Sequence, residues 1–178
     1  LESLDLSAVG TKGDGDFKEG ELAEVMEDER VICEVAEITA SESFSHGRPL
    51  KTVGYCASIV EARRVAHRLV DAHGLKADWV CGDERLCDAR RRHHVITSLT
   101  EDPNGLQIVC NVGVLTTGWD FPALEHIVMA RPTRSLALFT QILGRGTRPL
   151  EGVVDFEGST PETRRAAIAN SAKPFVKV

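Results

Sequence analysis

Aromatic side chains are scarce in this sequence, at 5% of its residues. Its core must therefore be mainly aliphatic, since Phe, Tyr and Trp bury the largest areas where they are plentiful. No apolar run approaches the roughly 20 residues that a membrane-spanning helix needs, so no membrane partner is expected. The first residues lack the basic start and apolar stretch of a secretory signal. No C-x-x-C pair occurs among the five cysteines, at positions 33, 56, 81, 87 and 110. An odd number without that spacing argues against a disulfide framework and fits reduced thiols in a cytoplasmic protein. Cys81, Cys87, His93 and His94 match no common zinc spacing, so no metal is assigned. No G-x-x-x-x-G-K-[ST] occurs either. The nearest approach, Gly10, Thr11, Lys12 and Gly13, has the wrong length and order. The chain thus lacks a loop that could anchor the phosphates of a nucleotide by itself.

What is present suits a single domain. At 178 residues the chain is long enough for a real core. Its formal charge of -6 hides an asymmetry. Residues 1–47 hold 13 acidic and 3 basic side chains, and residues 48–178 hold 14 acidic and 18 basic. The mildly basic remainder is compatible with a local phosphate-binding face. The sequence starts at Leu1 and stops on the apolar run Phe175 to Val178, so both ends are expected to continue into a longer protein.

Along the chain, Leu4, Leu6 and Val9 suggest a short strand in a lead-in segment. Gly13-Asp-Gly-Asp16 has the alternating acids of a calcium loop but lacks the late bidentate Glu, and reads as a turn. Phe17 to about His46 is predicted helical, with a break near Asp28. Leu22, Val25, Met26, Val31, Ile32, Val35, Ala36 and Ile38 recur there at helical spacing. Asp28-Glu29-Arg30 and Asp83-Glu84-Arg85 look like fragments of a magnesium-binding D-E-x-x box. Neither follows a strand in the required way, and the first reads as a solvated helix face. Strands are expected at 51–58, 77–82, 106–111 and 124–130. Helices are expected at 59–73, with Ala62, Val65, Ala66, Leu69 and Val70 inward and Gly74 as its stop, and at 87–99. This alternation predicts an α/β fold, a mostly parallel sheet with helices on both faces. Arg90, Arg91 and Arg92 spread around their helix, so at most one serves a ligand, with Arg91 the candidate. Ligands in such sheets bind off the carboxyl ends of the strands, which puts Ser58, Gly82, Asn111 and the loop after it on one rim.

The stretch 106–150 organises the chain. Two apolar strands flank a loop carrying Asp120, and an apolar helix then runs into Gly144-Arg145-Gly-Thr-Arg148. Arginine is permanently charged and its donor fork suits phosphate. Gly144 and Gly146 are expected to turn the backbone sharply and bring it close to a ligand. The plainer alternative is a solvated helix C-terminus, where cations and glycine are favourable anyway.

Gln141-Ile-Leu-Gly144-Arg145-Gly-Thr-Arg148 resembles motif VI (Q-x-x-G-R-x-x-R) of superfamily 2 helicases. Leu115-Thr-Thr-Gly-Trp-Asp-Phe-Pro122 resembles their motif V, and Tyr55-Cys-Ala-Ser58 their motif IV. The order and spacing are most similar to the DEAD/DEAH-like group that includes type I and type III restriction-enzyme motor subunits. Ile142 stands where many superfamily 2 helicases have a third arginine, a departure that the restriction-motor group often shares. The resemblance covers residues 21–150 and implies the second RecA-like domain. Residues 1–20 would lead in from an N-terminal RecA-like ATPase domain of the same protein. Residues 151–178 would form a C-terminal extension in which Arg164 and Lys173 have no assigned role.

On this resemblance the full-length protein is an ATP-dependent helicase or translocase. ATP and Mg2+ are held mainly by the N-terminal domain, and the present chain alone is inactive. Arg145 and Arg148 would be arginine fingers positioned by Gln141. Gly118, Asp120 and Gly144 would belong to the ATP-coupling surface. Ser58, Thr116, Thr117 and Asn111 would contact the nucleic-acid backbone, with DNA favoured over RNA. Two rivals remain: a non-enzymatic nucleic-acid or protein-binding module derived from such a domain, and an unrelated doubly wound domain for a small phosphorylated ligand.

Overall fold

The computed structural model describes residues 4–45, 47–116 and 118–178. Two helices open the fold, α1 (Glu19–Met26) and α2 (Glu29–Glu42). The expected break between them is made by Asp28, whose carboxylate accepts the Arg30 N–H at 2.9 Å as the N-cap of α2. Asp28 is thus a cap, not part of a solvated helix face. The helix ends earlier than its sequence pattern suggested, because Phe44 and Ser45 form β1 (Phe44–Ser45), which pairs antiparallel with β2 (Arg48–Pro49). His46 lies outside the described residues. The strand expected around Leu4 to Val9 is not formed. Val9 is buried, and Leu4 and Leu6 pack against the core from irregular backbone. Gly13 to Asp16 does make a turn, with Gly15 at φ +85° and a bridge between Thr11 and Phe17 closing it.

The main sheet has four parallel strands: β3 (Thr52–Cys56), β4 (Ala77–Cys81), β5 (Ile108–Val112) and β6 (His126–Ala130). Their spatial order is β4-β5-β3-β6. β3 is central and buried along its whole length, as its uninterrupted apolar run requires when both faces are covered. α3 (Ile59–His73) connects β3 to β4, and α4 (Ala89–Thr100) connects β4 to β5. Beyond β6 come α5 (Leu136–Gly146) and α6 (Pro161–Ala169). The expected last strand appears as a single parallel bridge between His126 and Lys177 on the outer edge of β6.

The apolar side chains separate into two layers, one per sheet face. One gathers Leu22, Met26, Ile32, Val35, Ala62, Val65 and Leu69 from α1, α2 and α3. The other gathers Val95, Leu99, Leu115, Phe121, Leu124 and Ile142 from α4, the β5–β6 connection and α5. Val70 does not join the first layer; it is 43% exposed, because it falls at the margin of the stripe set by Ala62, Val65, Ala66 and Leu69. Among the described residues no group of His, Cys, Asp and Glu could hold a metal ion. Among them, too, no helix is long and apolar enough to cross a membrane.

Candidate functional site

Because the four strands are parallel, their carboxyl ends share one rim. Ser58 stands just past β3, Gly82 past β4, and Asn111 is the next-to-last residue of β5. The β5–β6 connection (113–125) must cross the end of β3 to reach its place in the sheet, and two buried polar groups hold it down. Asn111, 1% exposed, accepts the Val114 and Leu115 N–H groups at 3.0 and 2.9 Å. Tyr55 donates its hydroxyl to the Leu115 carbonyl at 3.2 Å. Burial pushes the Tyr55 pKa up to about 12, against the pull of the Arg145 charge, so it remains a donor. Asn111 therefore lies beneath the loop and shapes it. Gly113 and Gly118, at φ +74° and +67°, supply the left-handed turns that L side chains resist.

α5 closes on the outside of this loop. The Thr116 carbonyl accepts the Gln141 side-chain amide at 3.0 Å and Arg145 twice, at 3.2 Å from Nε and 2.8 Å from Nη2. Arg145 Nη1 also donates to the Trp119 carbonyl. One carbonyl with three donors fixes the register of helix against loop. Arg148, one turn further, is different. Its guanidinium makes an ion pair with Asp120, and the two side chains are 50% and 54% exposed. The structure thus brings Gln141, Arg145, Arg148, Thr116, Gly118 and Asp120 together. Thr117 lies outside the described residues. Ser58 is further along the rim, where its hydroxyl accepts the Glu61 N–H at 3.0 Å.

The glycines of this stretch do not behave as expected. Both Gly144 and Gly146 lie inside α5, which ends only at the Thr147 cap. A Cβ on Gly144 would meet nothing within 4 Å, whereas one on Gly146 would meet Val176 and Ile127 at 2.6 and 2.8 Å. Gly146 is thus there for packing, and Gly144 leaves open space above the helix between Gln141 and Arg148. Neither makes a sharp turn.

The basic helix contributes less than its composition suggested. Arg91 donates to Asp78 at 2.7 Å and lies 4.9 Å over the Trp79 ring. Arg92 holds the Cys87 carbonyl at 2.8 Å and Glu84 at 3.0 Å. Both are structural, so Arg91 is withdrawn as a ligand candidate. Asp83 caps its own turn by accepting the Arg85 N–H at 2.9 Å, which disposes of the second D-E-x-x fragment. A hollow of about 590 Å³ lined by Ile38, Phe44, His73 and Leu75 lies away from Arg145 and Arg148 and holds no cluster of cations. One of about 470 Å³ is lined by Arg48, Lys51 and Lys76, but Arg48 is paired with Glu125 and the two lysines donate to backbone carbonyls, so the rim is the better candidate.

No family model matches the chain. Its sequence is similar to the type I restriction enzyme EcoKI endonuclease subunit of Escherichia coli (strain K12). The two are 43% identical over 108 residues, 55% of this chain and 9% of that protein. It is also similar to IRC3 of Saccharomyces cerevisiae, named as a candidate ATP-dependent helicase, at 28% identity over 99 residues, 53% of this chain and 14% of that protein. In structure it is similar to LlaBIII, an ATP-dependent Type ISP restriction-modification enzyme bound to DNA. The TM-score is 0.52 at 20% identity, over 72% of this chain and 9% of that one. The chain is thus similar in sequence to parts of a type I restriction enzyme subunit and of a candidate helicase, and similar in fold to part of a restriction-modification enzyme. The chain spans only 9% and 14% of the length of those two sequence relatives.

Two residues carry contacts that the sequence alone did not suggest. Glu61 completes a reciprocal cap with Ser58 and receives the Ala57 N–H at 2.7 Å; the Ser-x-x-Glu spacing is a signal for it. Asp16 accepts Thr133 Oγ1 at 2.9 Å and the Arg134 N–H at 2.8 Å, tying residues 11–17 to the turn before α5. No sequence signal marks a contact 117 residues away. Lys173, for which the sequence suggested no role, is buried and donates to the Arg148 carbonyl at 2.9 Å.

Proposed function

We propose that this domain is the second RecA-like lobe of an ATP-dependent helicase or translocase. It would close over ATP and Mg2+ held mainly by a first RecA-like lobe of the same protein. The observation that carries this reading is the state of Arg148. Its guanidinium stands half-exposed on the rim, parked on a half-exposed carboxylate, at the end of a helix fastened to the neighbouring loop. An exposed ion pair is worth only ~0–1 kcal/mol, so Arg148 can leave Asp120 for a phosphate at little cost. An arginine that meets the transferred phosphoryl stabilises its developing charge, an effect of roughly 10³–10⁵ in rate.

We assign Arg148 the contact with the γ-phosphate, and Arg145 and Gln141 the positioning of it. A direct contact by Arg145 would first break its bonds to Thr116 and Trp119. Phosphate binding would then be coupled to the loop that Thr116, Gly118 and Asp120 build. Gly144 keeps the space between Gln141 and Arg148 free for the nucleotide. Ser58, Thr116 and Thr117 are the candidate contacts to a nucleic-acid backbone, with Asn111 acting from beneath the loop. Backbone contacts carry no sequence information, which suits a motor that moves along any sequence. DNA is favoured over RNA, supported by the restriction-enzyme relatives. The five unpaired cysteines fit a cytoplasmic setting.

The test is nucleic-acid-stimulated ATP hydrolysis by the full-length protein, wild type against Arg148→Ala. The expected outcome is a DNA-stimulated rate that drops by about 10³ or more in the variant, with nucleotide binding largely kept. No DNA-stimulated hydrolysis by the full-length protein would leave a non-enzymatic binding module as the better account, and a variant as fast as wild type would remove Arg148 from the γ-phosphate contact.

A further inference from the structure

The segment that follows α5 wraps back onto the site in an unusual way. α6 buries none of its residues. Phe175 and Val178 are 61% and 62% exposed. Among the described residues from 151 to 178, the one fully buried is a lysine, Lys173, 6% exposed. Val176 packs partly buried against the second apolar layer, but the most buried side chain of the segment is a cation, and burial draws the Lys173 pKa below its ordinary value, opposed by the charge of Glu125.

The ammonium has specific partners. It donates to the Pro122 carbonyl at 2.5 Å and to the Arg148 carbonyl at 2.9 Å. Pro122 lies two residues past Asp120, and Arg148 two residues past the end of α5. The side chains of Asp120 and Arg148 form the ion pair on the rim. Lys173 therefore joins the backbones of the two segments whose side chains meet there. It also places a positive charge at the C-terminal end of α5, where the helix dipole favours one. The tail itself is fixed nearby: Lys177 accepts the Ile127 N–H and donates to the Glu125 carbonyl, each at 2.9 Å, on the edge of β6.

We propose that Lys173 is a positioning residue that sets where Arg148 stands relative to the Asp120 loop, so that the C-terminal segment tunes turnover without touching the nucleotide. This rests on the reading of Arg148 as the residue that meets the γ-phosphate. No apolar residue of equal volume can do the same, because the two carbonyls need a donor. Misplacement of a reacting group by about 1 Å costs on the order of 10² in rate.

The experiment is a double-mutant cycle on DNA-stimulated ATP hydrolysis by the full-length protein. It combines Lys173→Met and Lys173→Gln with Arg148→Ala, with thermal unfolding of each variant as the fold control. In the wild-type background Lys173→Met should lower kcat by roughly ten- to hundredfold and leave the KM for ATP within about twofold. Lys173→Gln, which keeps a donor, should fall between. In the Arg148→Ala background neither change should lower kcat further. If Lys173→Met does not fold, the Lys173→Gln pair carries the same comparison. An unchanged kcat, or an equal loss in both backgrounds, overturns the role of Lys173 while leaving Arg148 in place. Full turnover by Arg148→Ala itself overturns the γ-phosphate contact instead, and Lys173 with it.

Discussion

α3 and α5 start alike and both carry glycine near the end, yet they are held by different means. Each begins at a serine cap, Ser58 or Ser135, and each has glycine near its last turn. α3 is closed by its own neighbours. Ser58 and Glu61 cap each other, and Gly74 ends the helix at φ +64°. α5 is closed by distant chain. Its cap residue donates its N–H to Thr133 Oγ1, which itself donates to Asp16. Its middle is fixed by Thr116 and its end by Lys173. A self-contained helix positions its rim residue, Ser58, whatever the rest of the domain does. A helix tied at three places reports on all of them. That suits the element carrying the arginines, because motion in the lead-in, the loop or the tail reaches Arg148 through it.

The largest expected effect breaks the distant ties. Asp16→Ala removes the acceptor for Thr133, Arg134 and Phe17, a carboxylate held below the usual range by these bonds once its burial is outweighed. Three donors are left behind, of which the Phe17 N–H is buried and the other two partly so, at a cost of about 3 kcal/mol. Urea unfolding should show that loss, and Ser58→Ala on α3 should show only about 1 kcal/mol.

The next effect tests α3 through pH. Burial pushes the Glu61 carboxyl from its ordinary 4.5 to about 8. The folded state therefore holds this proton after the unfolded chain has released it, and stability falls as pH rises between those values. Buried His126, lowered to about 4, adds stability with rising pH up to its ordinary value of 6.5. The window from 6.5 to 8 isolates Glu61. Stability should drop there by roughly 1.4 kcal/mol per pH unit, and Glu61→Gln should flatten the slope.

The same contrast explains what could be read in advance. Most of α3 was legible, because spacing and stop are local, although Val70 lies outside its buried stripe and the cap between Ser58 and Glu61 was not read from their spacing. The parallel sheet was legible because each strand is an apolar run with a helix or loop of suitable length on either side. Arg145 and Arg148 stood out as a pair, but nothing in Gly-Arg-Gly-Thr-Arg separates an arginine bonded to Thr116 and Trp119 from one facing solvent. That distinction depends on the β5–β6 crossing, which only the strand order sets. Gly144 and Gly146 were misread for the same reason. Glycine after an apolar run signals a helix end when the chain there needs a positive φ. It signals packing when another segment, here Val176, approaches too closely for a Cβ.

The smallest effects turn that lesson into a matched pair. Gly74→Ala forces an L side chain into the left-handed region and should cost about 1 kcal/mol. Gly144→Ala meets open space in a regular helix, so the better propensity of alanine should add roughly 0.5–1 kcal/mol of stability. Opposite signs in thermal unfolding would establish that one glycine is a stop and the other is not. Gly144 then poses a further question, since a helix interior gains nothing from a glycine unless its empty side is used. If the space beside Arg145 and Arg148 receives a nucleotide, the stabilised Gly144→Ala protein should hydrolyse ATP more slowly while unfolding later. A variant that gains stability and keeps full turnover would remove Gly144 from the nucleotide-facing surface and leave its presence without a physical reason.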